Sequence, residues 1–166
     1  FSLMISLFYL ARPNRFASAK IRFSTLLRWH KAVGYLAVSV LLVHPFLLVV
    51  PRFFEAGIAP GEAFVTIITP FSNSGVLLGL TTWCLLLVLG LTSFLRKRLP
   101  MKYQTWRIVH GVLALLCITS AAFHVVDLGR HSDTFMTAFI VLLSAGGITL
   151  LLISYLFKEQ QVGGQR

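Results

Sequence analysis

The chain has 166 residues, 57% of them hydrophobic, a formal charge of +10 and a mean hydropathy of +0.82. Soluble domains hold about 45–50% apolar residues and lack long uncharged runs, so a soluble enzyme is excluded and the chain reads as a membrane protein. The excess of basic residues does not mark a nucleic-acid partner, because it falls in alternate connections between apolar segments rather than along one face.

The first element, "FSLMISLFYLA", has about eleven apolar residues, too few to cross a bilayer as a helix. It lacks the basic lead and small-residue cleavage site of a signal peptide, so it is expected to be the end of a helix whose start lies upstream. On that basis the chain is expected to be a fragment or a subunit. Arg12, Arg15, Lys20, Arg22, Arg28 and Lys31 follow. The first full span is expected over residues 32–51, where Pro45 would bend the helix. The connection "PRFFEAGIAPGEAFVTIITPFSNS" holds one Arg and two acids, and a second full span is expected over 75–95. Arg96, Lys97, Arg98, Lys102 and Arg107 then lead into a third span over 108–126. The short "DLGRHSD" joins it to a fourth, over 134–157, which Lys158 and Arg166 follow.

Basic residues concentrate on the cytoplasmic side of membrane proteins, which places residues 12–28, 96–107 and the C-terminus in the cytoplasm. The expected location is the bacterial inner (plasma) membrane. Short connections and the absence of low-complexity stretches make residues 1–166 one domain. The expected fold class is all-α, an integral membrane helical bundle of five to six transmembrane helices with the first one partial. Cys84 and Cys117 lie in apolar spans without a Cys-x-x-Cys partner and are expected to be small apolar fillers.

Four histidines carry the chemistry. "RWHKAVGYLAVSVLLVH" places His30 and His44 fourteen residues apart, and "WRIVHGVLALLCITSAAFH" places His110 and His124 at the same interval. Fourteen helical steps return to within roughly 40° of the starting direction and rise about 21 Å, so both members of a pair share a helix face. The two helices are separated by one other crossing and therefore run parallel. His30 is then level with His110 at the cytoplasmic side, and His44 with His124 at the outer side. Two imidazoles opposed across a bundle supply both axial ligands of a haem iron, and two levels make two stacked haems. A lone buried histidine would more simply hydrogen-bond within the bundle, but matching pairs favour ligation. Zinc is disfavoured, since no carboxylate or thiolate lies near either level.

Other candidates follow from position. Gly34 and Gly111 stand beside the inner histidines, where a missing side chain admits either a porphyrin or a neighbouring helix. Arg22, Arg28 and Arg107 could pair with haem propionates or serve only as loop charges. Arg52, Arg130 and His131 lie beyond the outer histidines, where they could hold propionates or meet an anionic acceptor. His131 is expected to be a solvated loop residue and not a ligand. Phe46, Phe123, Trp29 and Trp106 flank the histidines as packing or interface residues, and Ser39, Thr119 and Ser120 are candidate partners of the imidazole Nδ1–H.

The segments "RWHKAVGYLAVSVLLVHP", "SFLRKRLPMKYQTWRIVH" and "AFHVVDLG" together resemble the ferric reductase-like transmembrane domain. That family includes ferric-chelate reductases, NADPH oxidases, bacterial ferredoxin-reductase-type membrane proteins and the haem subunit of a periplasmic methionine sulfoxide reductase system. The resemblance implies six helices around two b-type haems, with His30 and His110 on the inner haem and His44 and His124 on the outer. It also implies oxidoreductase function: electrons from a cytoplasmic NAD(P)H/FAD reductase module pass outward to a ferric chelate or dioxygen. No G-x-G-x-x-G fingerprint follows a strand, so FAD and NAD(P)H are expected on further sequence or on a partner, or else replaced by a quinol donor. The alternative within this class is a quinol- or flavin-linked cytochrome b subunit anchoring a periplasmic reductase. Outside it, a haem-free transporter using histidines as a proton relay is disfavoured, because residues 75–126 contain no acid.

Overall fold

The computed structural model describes residues 1–11, 22–129 and 133–163. Arg12, Arg15, Lys20, Arg130, His131 and Arg166 lie outside the described residues, as does the expectation that His131 is a solvated loop residue. Seven helices follow in order among them: α1 (Ser2–Tyr9), α2 (Phe23–Leu47), α3 (Val49–Ala56), α4 (Pro60–Ile68), α5 (Ser74–Phe94), α6 (Tyr103–Leu128) and α7 (Thr134–Gly163). Four stretches are long and apolar enough to cross a membrane: Ser24–Ala56, Ser74–Phe94, Tyr103–Leu128 and Thr134–Ile153. With the short α1 this is the all-helical membrane bundle the composition demands.

Local chemistry sets several helix ends. Asn73 caps α5, its side-chain oxygen accepting the Val76 N–H at 3.2 Å. Residues 51–74, expected to be a plain connection, instead contain most of α3 and all of α4. Gly57 stops α3 by adopting a left-handed conformation, φ 65°, which costs glycine little. Pro60 then occupies the first turn of α4 with Glu62 beside it, where the missing N–H is harmless and the helix dipole favours an acid. Pro45 lies inside α2, and helical structure runs on to Leu47 beyond His44.

Packing builds one bundle. α5 and α6 make the most extensive pair, α1 lies against both α2 and α7, α2 against α5, and α6 against α7. Small residues permit these approaches, as they must where lipid removes most of the hydrophobic drive between helices. Tyr9 of α1 donates its hydroxyl proton to the Leu143 carbonyl of α7 at 3.1 Å. A Cβ on Gly146 would stand 2.6 Å from that hydroxyl, and one on Gly147 3.0 Å from Phe8 Cβ. A Cβ on Gly90 of α5 would stand 3.2 Å from Val38 of α2. The buried core comprises Met4, Ile5, Phe8, Leu86, Cys117, Ile118 and Ala121. Phe54, Phe94, Phe135 and Leu142 are more than two-thirds exposed, as befits faces that meet acyl chains.

Gly147→Val is expected to push α1 from α7 and to destabilise the bundle by about 1–3 kcal/mol, the usual cost of overpacking. The check is thermal unfolding in detergent, where an unchanged midpoint would contradict this packing.

Candidate functional site

At the level expected to face the cytoplasm, His30 of α2 and His110 of α6 lie within electrostatic range of each other. His30 Nδ1 is 3.2 Å from the Leu7 carbonyl of α1. A carbonyl only accepts, so His30 donates through Nδ1–H and keeps Nε2 as the free base. His110 Nδ1 is 3.2 Å from Ser93 Oγ of α5. Ser93 already donates its single hydroxyl proton to the Leu89 carbonyl at 2.7 Å, which leaves its oxygen to accept from His110 Nδ1–H. Both inner imidazoles therefore carry the tautomer with Nε2 unprotonated.

The outer level repeats the arrangement in part. His124 of α6 donates from Nδ1–H to the Gly75 carbonyl of α5 at 2.8 Å, and it lies within electrostatic reach of His44 on α2. Gly79, one turn on from Gly75, makes room for the ring: a Cβ there would meet His124 Cε1 at 2.6 Å and Nδ1 at 2.7 Å. His44 is exposed, and its ring makes no hydrogen bond among the described residues. Asp127 closes this end, its carboxylate accepting from Ser74 Oγ at 2.9 Å, so one carboxylate does stand beside the outer level, contrary to the expectation that none lies near either.

The histidine-bearing helices α2 and α6 do not pack closely on each other; each is packed instead on α5. Between the two levels lies the apolar core around Leu86, Cys117 and Ile118, with Val38, Leu41 and Leu42 of α2 against it. Among the described residues no group of three or more His, Cys, Asp or Glu side chains comes together. Each level thus offers a pair of imidazoles on two separated helices. Fixed Nδ1–H bonds with a basic Nε2, present at His30, His110 and His124, are the arrangement that orients histidine toward a metal, and a pair of imidazoles would suit a haem iron.

The remaining candidates sort less evenly. The space beside Gly111 is filled by Tyr155 of α7, whose hydroxyl donates to the Arg107 carbonyl at 2.7 Å. Gly111 thus gives room to α7 here, the packing alternative of the two expected for it. Gly34 faces α1, where a Cβ would touch Leu7 at an ordinary 3.8 Å. The Arg107 guanidinium lies over the Tyr155 ring, 5.1 Å from its centroid, while Arg28 and Arg22 are exposed at the start of α2. Trp106 stacks on His110 with ring centroids 4.9 Å apart. Ser120 is buried and accepts from Thr82 at 2.8 Å while donating to Leu116 and Cys117 carbonyls, so it serves the core and not an imidazole. Thr119 bonds its own helix, to Leu115. Cys117 is buried and Cys84 exposed, both free.

Leu7, Gly75, Gly79 and Ser93 are the site residues that the sequence reading missed. Gly75 and Gly79 carried a visible signal, a small-xxx-small pair in an apolar helix. The carbonyl of Leu7 carried none.

A protein of Archaeoglobus fulgidus described as uncharacterized is 46% identical over 157 residues, covering 95% of this chain and 85% of the relative. No solved structure matches. Residues 1–121 match the family described as "Ferric reductase like transmembrane component". With its four membrane-crossing stretches and its paired histidines on α2 and α6, the chain belongs to the ferric reductase-like transmembrane family, whose role is oxidoreductase-type electron transfer in the membrane.

Proposed function

We propose that the chain carries electrons across the membrane through two b-type haems, His30 and His110 holding the inner one and His44 and His124 the outer. The observation that carries this proposal is the matched pairing of imidazoles at two levels, three of them held through Nδ1–H with Nε2 left basic. Haem iron bound between two imidazoles supplies a one-electron ferric–ferrous couple without an open coordination site.

The chain's own residues do the rest. Leu7, Ser93 and Gly75 hold the rings so that the ligands do not reorient as charge changes. Arg28 stands at the cytoplasmic end of α2, where its fork suits a propionate, and Gly34 lies one turn on from His30 on the same helix. The electron donor is a cytoplasmic FAD- and NAD(P)H-binding reductase module on a further domain or a partner subunit. The acceptor lies outside and is a ferric chelate or dioxygen, which a haem held by His44 and His124 would reduce by one electron. Residues 96–107 and the C-terminal end of α7 face the cytoplasm, following the distribution of Lys and Arg, and the setting is the cytoplasmic membrane.

The test is the absorption spectrum of the purified full chain, oxidised and dithionite-reduced, with haem counted per chain. The expected result is sharp low-spin b-type bands and about two haems per chain. His30→Ala and His110→Ala each remove one haem, and His44→Ala and His124→Ala each remove the other; a protein that takes up no haem would overturn the proposal.

Two substitutions probe the supports. Gly79→Ala drives a methyl into the His124 ring and is expected to empty the outer site while sparing the inner. Ser93→Ala removes the acceptor for His110 Nδ1–H and is expected to weaken inner haem affinity about tenfold, a typical cost of losing such a partner. Haem titration into the apoprotein reads both.

A further inference from the structure

Arg96 sits in the connection between α5 and α6 in an unusual environment. Its guanidinium carbon lies 4.5 Å from the centroid of the Tyr103 ring and 4.9 Å from that of Trp106. Its Nε is buried without a hydrogen-bond partner, and no carboxylate pairs with it among the described residues. The charge is held by ring faces instead, an arrangement that gains strength where water is excluded. Trp106 is itself fixed, its indole N–H donating to the Thr92 carbonyl at 3.3 Å, and besides Tyr103, 6.0 Å away between centroids, its ring stacks on His110 at 4.9 Å. A cation, an indole and an imidazole are thus stacked in series, and the guanidinium lies within about 10 Å of the imidazole, where a Coulomb interaction is still substantial in a protein of intermediate dielectric.

We infer that Arg96, positioned by Trp106, raises the reduction potential of the inner haem and so makes that site the better electron trap for the cytoplasmic donor. The inference rests on ligation of that haem by His30 and His110. Oxidation adds one positive charge at the iron, and a fixed cation on the His110 side opposes it. Lys97, Arg98 and Lys102 share the connection but are exposed. Their charge is screened by water and counter-ions, so the effect belongs to Arg96 and not to the basic loop as a whole.

The experiment is an anaerobic spectroelectrochemical titration of the full chain loaded with haem, in the parent, Arg96→Gln, Arg96→Lys and Lys97→Gln forms. At the potential where the parent inner haem is half reduced, Arg96→Gln is expected to lower its ferrous-to-ferric ratio about threefold to tenfold. Arg96→Lys recovers part of that loss, and Lys97→Gln leaves the ratio unchanged. The outer haem titrates alike in all four. If Arg96→Gln does not assemble, Trp106→Phe decides: it keeps an aromatic ring but loses the Thr92 bond and the wider face under the guanidinium, and the ratio is expected to fall in the same direction. An unchanged inner haem in these variants, or an equal shift of both haems, overturns the inference. Parent protein that binds no haem would instead overturn the function it rests on.

Discussion

Three imidazoles in this bundle are held by hydrogen bonds from helices other than their own, and the arrangement of the remaining helices follows from that. α6 carries His110 and His124, yet the atoms that orient them, Ser93 Oγ and the Gly75 carbonyl, both lie on α5. Because α5 and α6 are adjacent and antiparallel, the two ends of α5 meet the two histidines of α6 at once. α5 carries none of the four histidines and is nonetheless the element on which both levels are registered. α1 plays the corresponding part for α2 through the Leu7 carbonyl. It can do so because Gly146 and Gly147 let it settle on α7.

The apolar environment explains why such bonds are specific. A hydroxyl or imidazole N–H in lipid must find a partner within the protein. Thr81, Thr92, Thr119, Ser144 and Thr149 each bond a carbonyl one turn back on their own helix. This removes them as competitors for the imidazoles. Ser93 makes the same bond to Leu89, and that is what turns its oxygen into an acceptor and fixes the tautomer of His110. One hydroxyl proton, spent on the helix, thereby decides which ring nitrogen of a neighbouring helix is available to a metal.

The main plan of the protein was legible in the chain. Apolar length marked the spans, while the alternation of Lys and Arg and the fourteen-residue interval between histidines supplied the expectations for their direction and for the pairing of His30 with His110 and His44 with His124. These features are periodic or additive along the sequence and need no tertiary information. What stayed hidden depends on contacts between distant residues. Gly111 looked equally suited to a cofactor or a helix until Tyr155 was found beside it, forty-four positions on. Ser120 looked like a partner for histidine and proved to be paired with Thr82. The connection at 51–74 was too mixed in composition to announce two short helices, which depend on a single left-handed glycine and a proline at a helix start.

The core between the two histidine levels has a further physical consequence. Leu86, Cys117, Ile118 and Ala121 fill the middle of the bundle, and the polar pair there, Thr82 and Ser120, has its hydroxyl protons committed to neighbouring groups. The described residues of that core form no chain of acids, bases or histidines along which a proton could hop. An electron moving between the two levels would cross much of the dielectric, and each transfer would work with or against the membrane voltage by at most about 2.3 kcal/mol per 100 mV. With an electron carrier at each level the bundle would be, in electrical terms, a conductor jacketed by an insulator, and its turnover would be coupled to the charge on the membrane it spans.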